Sequence, residues 1–248
     1  MFKRIKQLAA AAFLAAGVFG ASSASAAEVT VGLDTLLPGG SNASGITVGD
    51  KLYSGFTFSS SGSTTLNPAD VEVMIVSEGN RHDLAFMFPD LTASNGQRSD
   101  LVIGYRLDAI GSGLIRRIDG MFDGGPFGAG DGRSAASMIE TVSTVDGSDL
   151  VAGGPVQGTE ILNLFNDGEA GLPDTQEFAL DIIPQKALLF VKDILVSSRP
   201  NAGLVGVSVV QQGVEQTTVI PLPAAFWAAI PIFGAVVGRK KLAKLATR

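Results

Sequence analysis

The stretch LVIGYRLD, residues 101–108, alternates strictly. Leu101, Ile103, Tyr105 and Leu107 stand on one side of the pattern, and Val102, Gly104, Arg106 and Asp108 on the other. Successive side chains of a strand point to opposite faces, so a period of two with one apolar face predicts a half-buried β-strand. The neighbouring segments repeat the theme. DVEVMIVSE (residues 70–78) and HDLAFMF (residues 82–88) flank Gly79 and Asn80, a turn signal that predicts a hairpin. KLYSGFTFSS, GLIRRIDGMF, SMIETVSTV, EFALDI, KALLFVKDILVSS and GLVGVSVVQQ add further strand candidates, separated by Gly, Pro, Asn and Asp. Residues 39–45 and 59–65 read as flexible loops, and residues 211–218 as a short stalk. No 11- to 18-residue helical pattern interrupts the strands, and no fixed repeat points to a solenoid. The predicted fold is all-β: a single β-sandwich, jelly-roll-like or a related barrel, over residues 27–210.

Both ends of the chain read as addresses. Lys3, Arg4 and Lys6 precede the apolar run of 13 residues from position 8 to 20, and Ala24-Ser25-Ala26 supplies the small-x-small pattern of signal peptidase. A signal peptide over residues 1–26 is predicted, with cleavage leaving Ala27 or Glu28 first. At the other end, residues 219–238 carry no charge over 20 positions, about 30 Å of helix. Pro221 and Pro223 sit near its start and Pro231 in its middle, and the part after Pro223, from Ala224 to Val237, would make roughly 21 Å of helix. Arg239, Lys240, Lys241, Lys244 and Arg248 follow, a basic tail expected to stay on the cytoplasmic side. A plain single-span anchor is the alternative to a sorting signal.

Ile220-Pro221-Leu222-Pro223-Ala224, followed by that run and tail, resembles the VPLPA variant of the PEP-CTERM sorting signals of Gram-negative bacteria, with Ile220 in place of the usual valine. The resemblance implies processing by exosortase near the proline motif and delivery to the cell surface, often in connection with extracellular polysaccharide. ITVGDKLYSGFTF, SDLVIGYRL, IETV and FVKDILV, in this order, are similar to a group of exported bacterial proteins of unknown function that end in such signals. That group carries no established activity.

Charge and composition narrow the function classes. The chain has a net charge of −6, yet residues 27–218 hold all 24 acidic residues against ten basic ones, which leaves −14. Such a surface repels nucleic acid and anionic headgroups. There is no cysteine, so disulfides, a lipoprotein anchor and thiolate metal sites are excluded. His82 is the single histidine and no G-x-S-x-G occurs, so a Ser-His-Asp triad has no sequence support. Asp123 and Asp131, Asp146 and Asp149, and Asp167 and Glu169 lie in glycine-rich stretches that offer oxygen ligands for calcium, but none completes a known calcium loop, and Asx-bonded turns explain them as well. Tyr53, Tyr105 and the phenylalanines fall in strand patterns, where core packing competes with any sugar-stacking role. The sequence therefore points to a non-enzymatic, exported surface or matrix protein without cofactor, structural or adhesive, and the resemblance implies a link to exopolysaccharide or biofilm. A polysaccharide-binding module is the alternative class, and a carboxylate-based glycoside hydrolase or lyase the third.

Overall fold

A computed structural model describes residues 26–126, 134–151, 159–166 and 175–217. Two antiparallel six-stranded sheets face each other. The first, sheet A, runs β1 (Ala27–Gly32), β4 (Glu72–Glu78), β5 (Arg81–Ala93), β12 (Val205–Thr217), β7 (Leu114–Pro126), β10 (Thr175–Gln185). The second, sheet B, runs β2 (Ile46–Val48), β3 (Lys51–Gly62), β6 (Arg98–Ala109), β11 (Ala187–Ser198), β8 (Ser134–Thr144), β9 (Thr159–Asn166). From β5 onward the chain passes between the sheets at every step except β8 to β9, and β12 inserts between β5 and β7 while β11 inserts between β6 and β8. This interleaving is the jelly-roll order, which closes the sandwich with partners distant in sequence. β1 and β4 widen sheet A beyond β5, and β2 and β3 widen sheet B beyond β6.

The alternation read in residues 101–108 is real. Leu101, Ile103, Tyr105 and Leu107 are buried on the inner face of β6. Tyr105 stacks between Phe190 of β11, with ring centroids 4.9 Å apart, and Phe56 of β3, at 5.6 Å. Such stacked pairs add to the area they bury and fix the register of three adjacent strands. Val73, Ile75, Leu84 and Phe86 supply the opposing layer from the predicted β4–β5 hairpin, whose turn residue Gly79 has a φ of 59°. Helix is confined, among the described residues, to α1 (Leu33–Leu36) and one 3-10 turn (Pro68–Asp70).

Three sequence readings need correction. Residues 211–217 are no stalk. They form the second half of β12, paired on both sides with β5 and β7. Gln and Thr in that stretch masked a strand whose buried face is partly polar. Residues 59–62 belong to β3 and pair with β6 rather than forming a loop. Residues 39–45 are a hydrogen-bonded turn, in which Asn42 N–H donates to Thr35 O at 2.7 Å and Gly45 N–H to Asn42 O at 2.9 Å.

Candidate functional site

The outer face of sheet A presents polar side chains in strand-to-strand rows. One row, in register across five strands, is Val76, Asp83, Gly213, Asp119 and Ala179. The next is Glu78, Arg81, Glu215, Arg117 and Asp181. On the other side lies an apolar-flanked row, Met74, Ala85, Gln211 and Met121. Antiparallel pairing spaces these groups about 4.8 Å apart along each row.

Arg81 ties the rows together. Its two terminal nitrogens donate to the two carboxylate oxygens of Asp119 at 2.9 and 2.8 Å, a bidentate pair, and its Nε donates to Asp83 Oδ2 at 3.0 Å. Gln211 Nε2 donates to Asp83 Oδ1 at 3.2 Å. The guanidinium crosses β12 at Gly213, where a Cβ would lie 2.2 Å from Asp119 Oδ1 and 2.7 Å from an Arg81 nitrogen. Glycine is therefore the residue that lets β12 pass beneath the array. Burial pushes the Asp83 carboxyl above its ordinary value, and the nearby Arg81 only partly reverses this. Burial alone would lower the Arg81 guanidinium, but its bond to Asp119 and the charges of Asp83 and Asp119 hold it above its ordinary value. Arg81 retains 41% of its side-chain exposure, so the array is locked from below and open to solvent. Below it on the same face, Ser208 donates to Asp123 Oδ2 at 2.6 Å.

Other candidates from the sequence are scattered. His82 is buried on the inner face of β5, with Nε2 3.4 Å from Asp50 Oδ1. Burial pushes its pKa down to about 4, with Lys51 adding to the effect. Asp146 caps its own turn, accepting from Ser148 N–H at 3.0 Å. Asp123 lies on the sheet A face. Asp131, Asp167 and Glu169 lie outside the described residues, as do Ala24, the motif Pro221, Leu222, Pro223 and Ala224, and the tail Arg239, Lys240, Lys241, Lys244 and Arg248. Ala26 directly precedes β1, and Ala27 is its first residue. No group of three or more metal-ligating side chains occurs among the described residues, and no described helix is long and apolar enough to cross a membrane. Tyr53, Tyr105, Phe56, Phe86, Phe122 and Phe190 are all core residues, and no aromatic ring is exposed among the residues whose burial is described. Sequence reading missed the Arg81–Asp119 array. Its members are 38 residues apart and meet only because β12 enters between β5 and β7.

No family model and no curated protein matches this chain. Solved structures with a distant likeness to this chain include TmCBM61 in complex with beta-1,4-galactotriose, 9% identical, covering 62% of this chain and 86% of that one at a TM-score of 0.29. A mannan-recognising carbohydrate-binding module, TmCBM27, is 11% identical, covering 67% of this chain and 89% of its own at a TM-score of 0.26. A xylan-binding module, CBM15, is 14% identical, with 64% and 90% covered and a TM-score of 0.25. Likeness at this level transfers no ligand and no residue role.

Proposed function

We propose that this protein is a non-catalytic polysaccharide-binding sandwich, exported and displayed at the bacterial surface or in the extracellular matrix, with the outer face of sheet A as its contact surface. The observation that carries the proposal is the Arg81–Asp83–Asp119–Gln211 array. Vicinal hydroxyls of a sugar offer paired donors and acceptors, and carboxylate, amide and guanidinium groups held by their mutual hydrogen bonds match such pairs. Preorganisation by the bidentate pair spares the entropy of ordering those side chains on binding. Met74 and Met121 beside the array give a polarizable apolar strip for the C–H faces of sugar rings. The rows hold more carboxylates than guanidinium groups, so the glycan that fits is neutral or amino-bearing rather than uronate-rich or sulfated.

The reading of both ends as addresses belongs to the same proposal. Signal peptidase leaves Ala27 or Glu28 first, and exosortase acts near the Pro221–Ala224 motif while the basic tail stays inside.

The test is binding of the full chain to a panel of neutral, amino-bearing and acidic polysaccharides, with wild type, Arg81→Ala and Gly213→Ala compared. Gly213→Ala is the sharper variant. Its new methyl meets only the ends of flexible side chains, so the fold survives while the array is pushed apart. Binding by the wild type, weakened by about tenfold or more in both variants, is expected; tenfold corresponds to about 1.4 kcal/mol, one charge-assisted hydrogen bond. Equal binding by all three proteins would remove sheet A from the proposal. Release of reducing sugar would replace it with the hydrolase reading.

A further inference from the structure

Two lysines lie in the sandwich interior, and each reaches from sheet B to a glutamine of β12 in sheet A. Lys192 Nζ donates to Gln212 Oε1 at 2.9 Å and to the carboxylate of Glu140. Lys51 Nζ donates to Gln216 Oε1 at 2.5 Å and to Asp50 Oδ1 at 2.5 Å. An amine, a carboxamide and a carboxyl group thus meet twice, four residues apart on β12. Around Lys192 all three groups are sealed: Lys192 and Glu140 are 0% exposed and Gln212 is 1% exposed. Lys192 and Glu140 are directly paired residues of β11 and β8, so the strand register holds them together. Gln212 Nε2 donates to Asp119 O at 2.7 Å, which fixes the amide plane. Glu140 Oε1 has no hydrogen-bond partner in the structure, although it is buried. A buried ion pair with an unsatisfied oxygen stabilises a fold little compared with apolar packing, so its presence asks for another role.

We propose that Lys192 and Gln212 form an intramolecular isopeptide bond across the two sheets, with Glu140 carrying the protons. A proton first passes from the Lys192 ammonium to Glu140. The Nζ lone pair then attacks Cδ of Gln212, forming the new C–N bond and opening the carbonyl. Glu140 delivers its proton to Nε2, and its carboxylate then takes one from Nζ. The C–Nε2 bond breaks, the carbonyl re-forms, and ammonia leaves. Amine plus carboxamide gives secondary amide plus ammonia, with no change of oxidation state and no outside reagent. Burial lowers the Lys192 ammonium and raises the Glu140 carboxyl, which favours the neutral amine and the protonated acid that the first step needs.

The second trio is the internal control. Burial would raise the Asp50 carboxyl, but the side-chain bonds of Lys51 and Gln216 and the neighbouring positive charge hold it below its ordinary value, and it is 31% exposed to water. Burial lowers the Lys51 ammonium as well, but Asp50, held below its ordinary value and open to water, is the weaker proton acceptor, so the reaction is expected at Lys192.

The experiment is a protease digest of the folded full chain, read by tandem mass spectrometry. This readout is independent of how the termini are processed and of any glycan. The expected product is a branched peptide joining the Lys192 and Gln212 segments, lighter than their sum by one ammonia. Glu140→Gln, confirmed as folded by circular dichroism, is expected to give the two peptides unlinked. Unlinked peptides from the folded wild type would overturn the proposal. A branched peptide lighter by one water, joining Lys192 to Glu140, would overturn the assignment of Gln212 as the acceptor. Should Glu140→Gln fail to fold, the wild-type digest alone decides.

Discussion

His82 shows how one burial changes the pH response of the molecule. It faces inward from β5, near Asp50, Lys51 and Ser77, and neither ring nitrogen has a hydrogen-bond partner in the structure. Its pKa falls from 6.5 to about 4. Between those values the unfolded chain binds the proton and the folded chain does not. The stabilising contribution of a neutral His82 is therefore complete above pH 6.5 and is lost as the pH falls towards about 4. Its size is at most on the order of 3 kcal/mol. His82→Gln carries no titrating group at this position. Urea unfolding of wild type and variant at about pH 7 and about pH 4.5 should show the wild type losing more stability on acidification, by roughly 1–3 kcal/mol. Parallel losses in the two proteins would mean that His82 is hydrated in the folded state.

At the scale of elements, β12 is the strand on which the architecture turns. It is paired on both sides, it carries Gln212 and Gln216 inward to the two buried lysines, and it carries Gln211 and Gly213 outward to the Arg81 array. Its second half also completes the β5 and β7 ladders, from Gln211 opposite Ala85 and Met121 to Thr217 opposite Leu114. A chain ending at Thr217 should keep a strand-rich circular dichroism spectrum and resist proteolysis. A chain ending at Val210 should lose both, because unpaired backbone groups remain and the two buried lysines lose their glutamine partners. Retained folding in the shorter chain would return residues 211–217 to the role of a stalk.

For the whole molecule, the prediction concerns the ends. The described sandwich ends at Thr217, and the proline motif follows it in the sequence, so processing at that motif would remove no strand of the sandwich. Replacing Pro221 and Pro223 by Ala should permit export and block C-terminal processing, so that a precursor accumulates in the membrane of the native host. Proline lacks the donor that a helix interior requires, so three prolines would make the 20-residue uncharged run a weak span. Intact-mass measurement of protein from that host checks this. A mature chain that still ends at Arg248 would leave a plain anchor in place of the sorting signal.

The sequence by itself determined the local elements. Leu101, Ile103, Tyr105 and Leu107 announced a strand and its buried face, and Gly79-Asn80 announced the β4–β5 hairpin, because a period of two and a turn residue are properties of neighbours along the chain. The same period held a further signal that went unread. Phe190-x-Lys192-x-Ile194 and Met138-x-Glu140-x-Val142 each place a charge in phase with core residues. Only the tertiary structure decided what those charges meet. Lys192 reaches Gln212, Arg81 reaches Asp119, and residues 211–217 become a central strand, because the jelly-roll crossing sets β12 between β5 and β7 and over the lysines of sheet B. Strand order between sheets is fixed by the closing of one shared core over contacts distant in sequence, and no local pattern encodes which distant partner fills the gap.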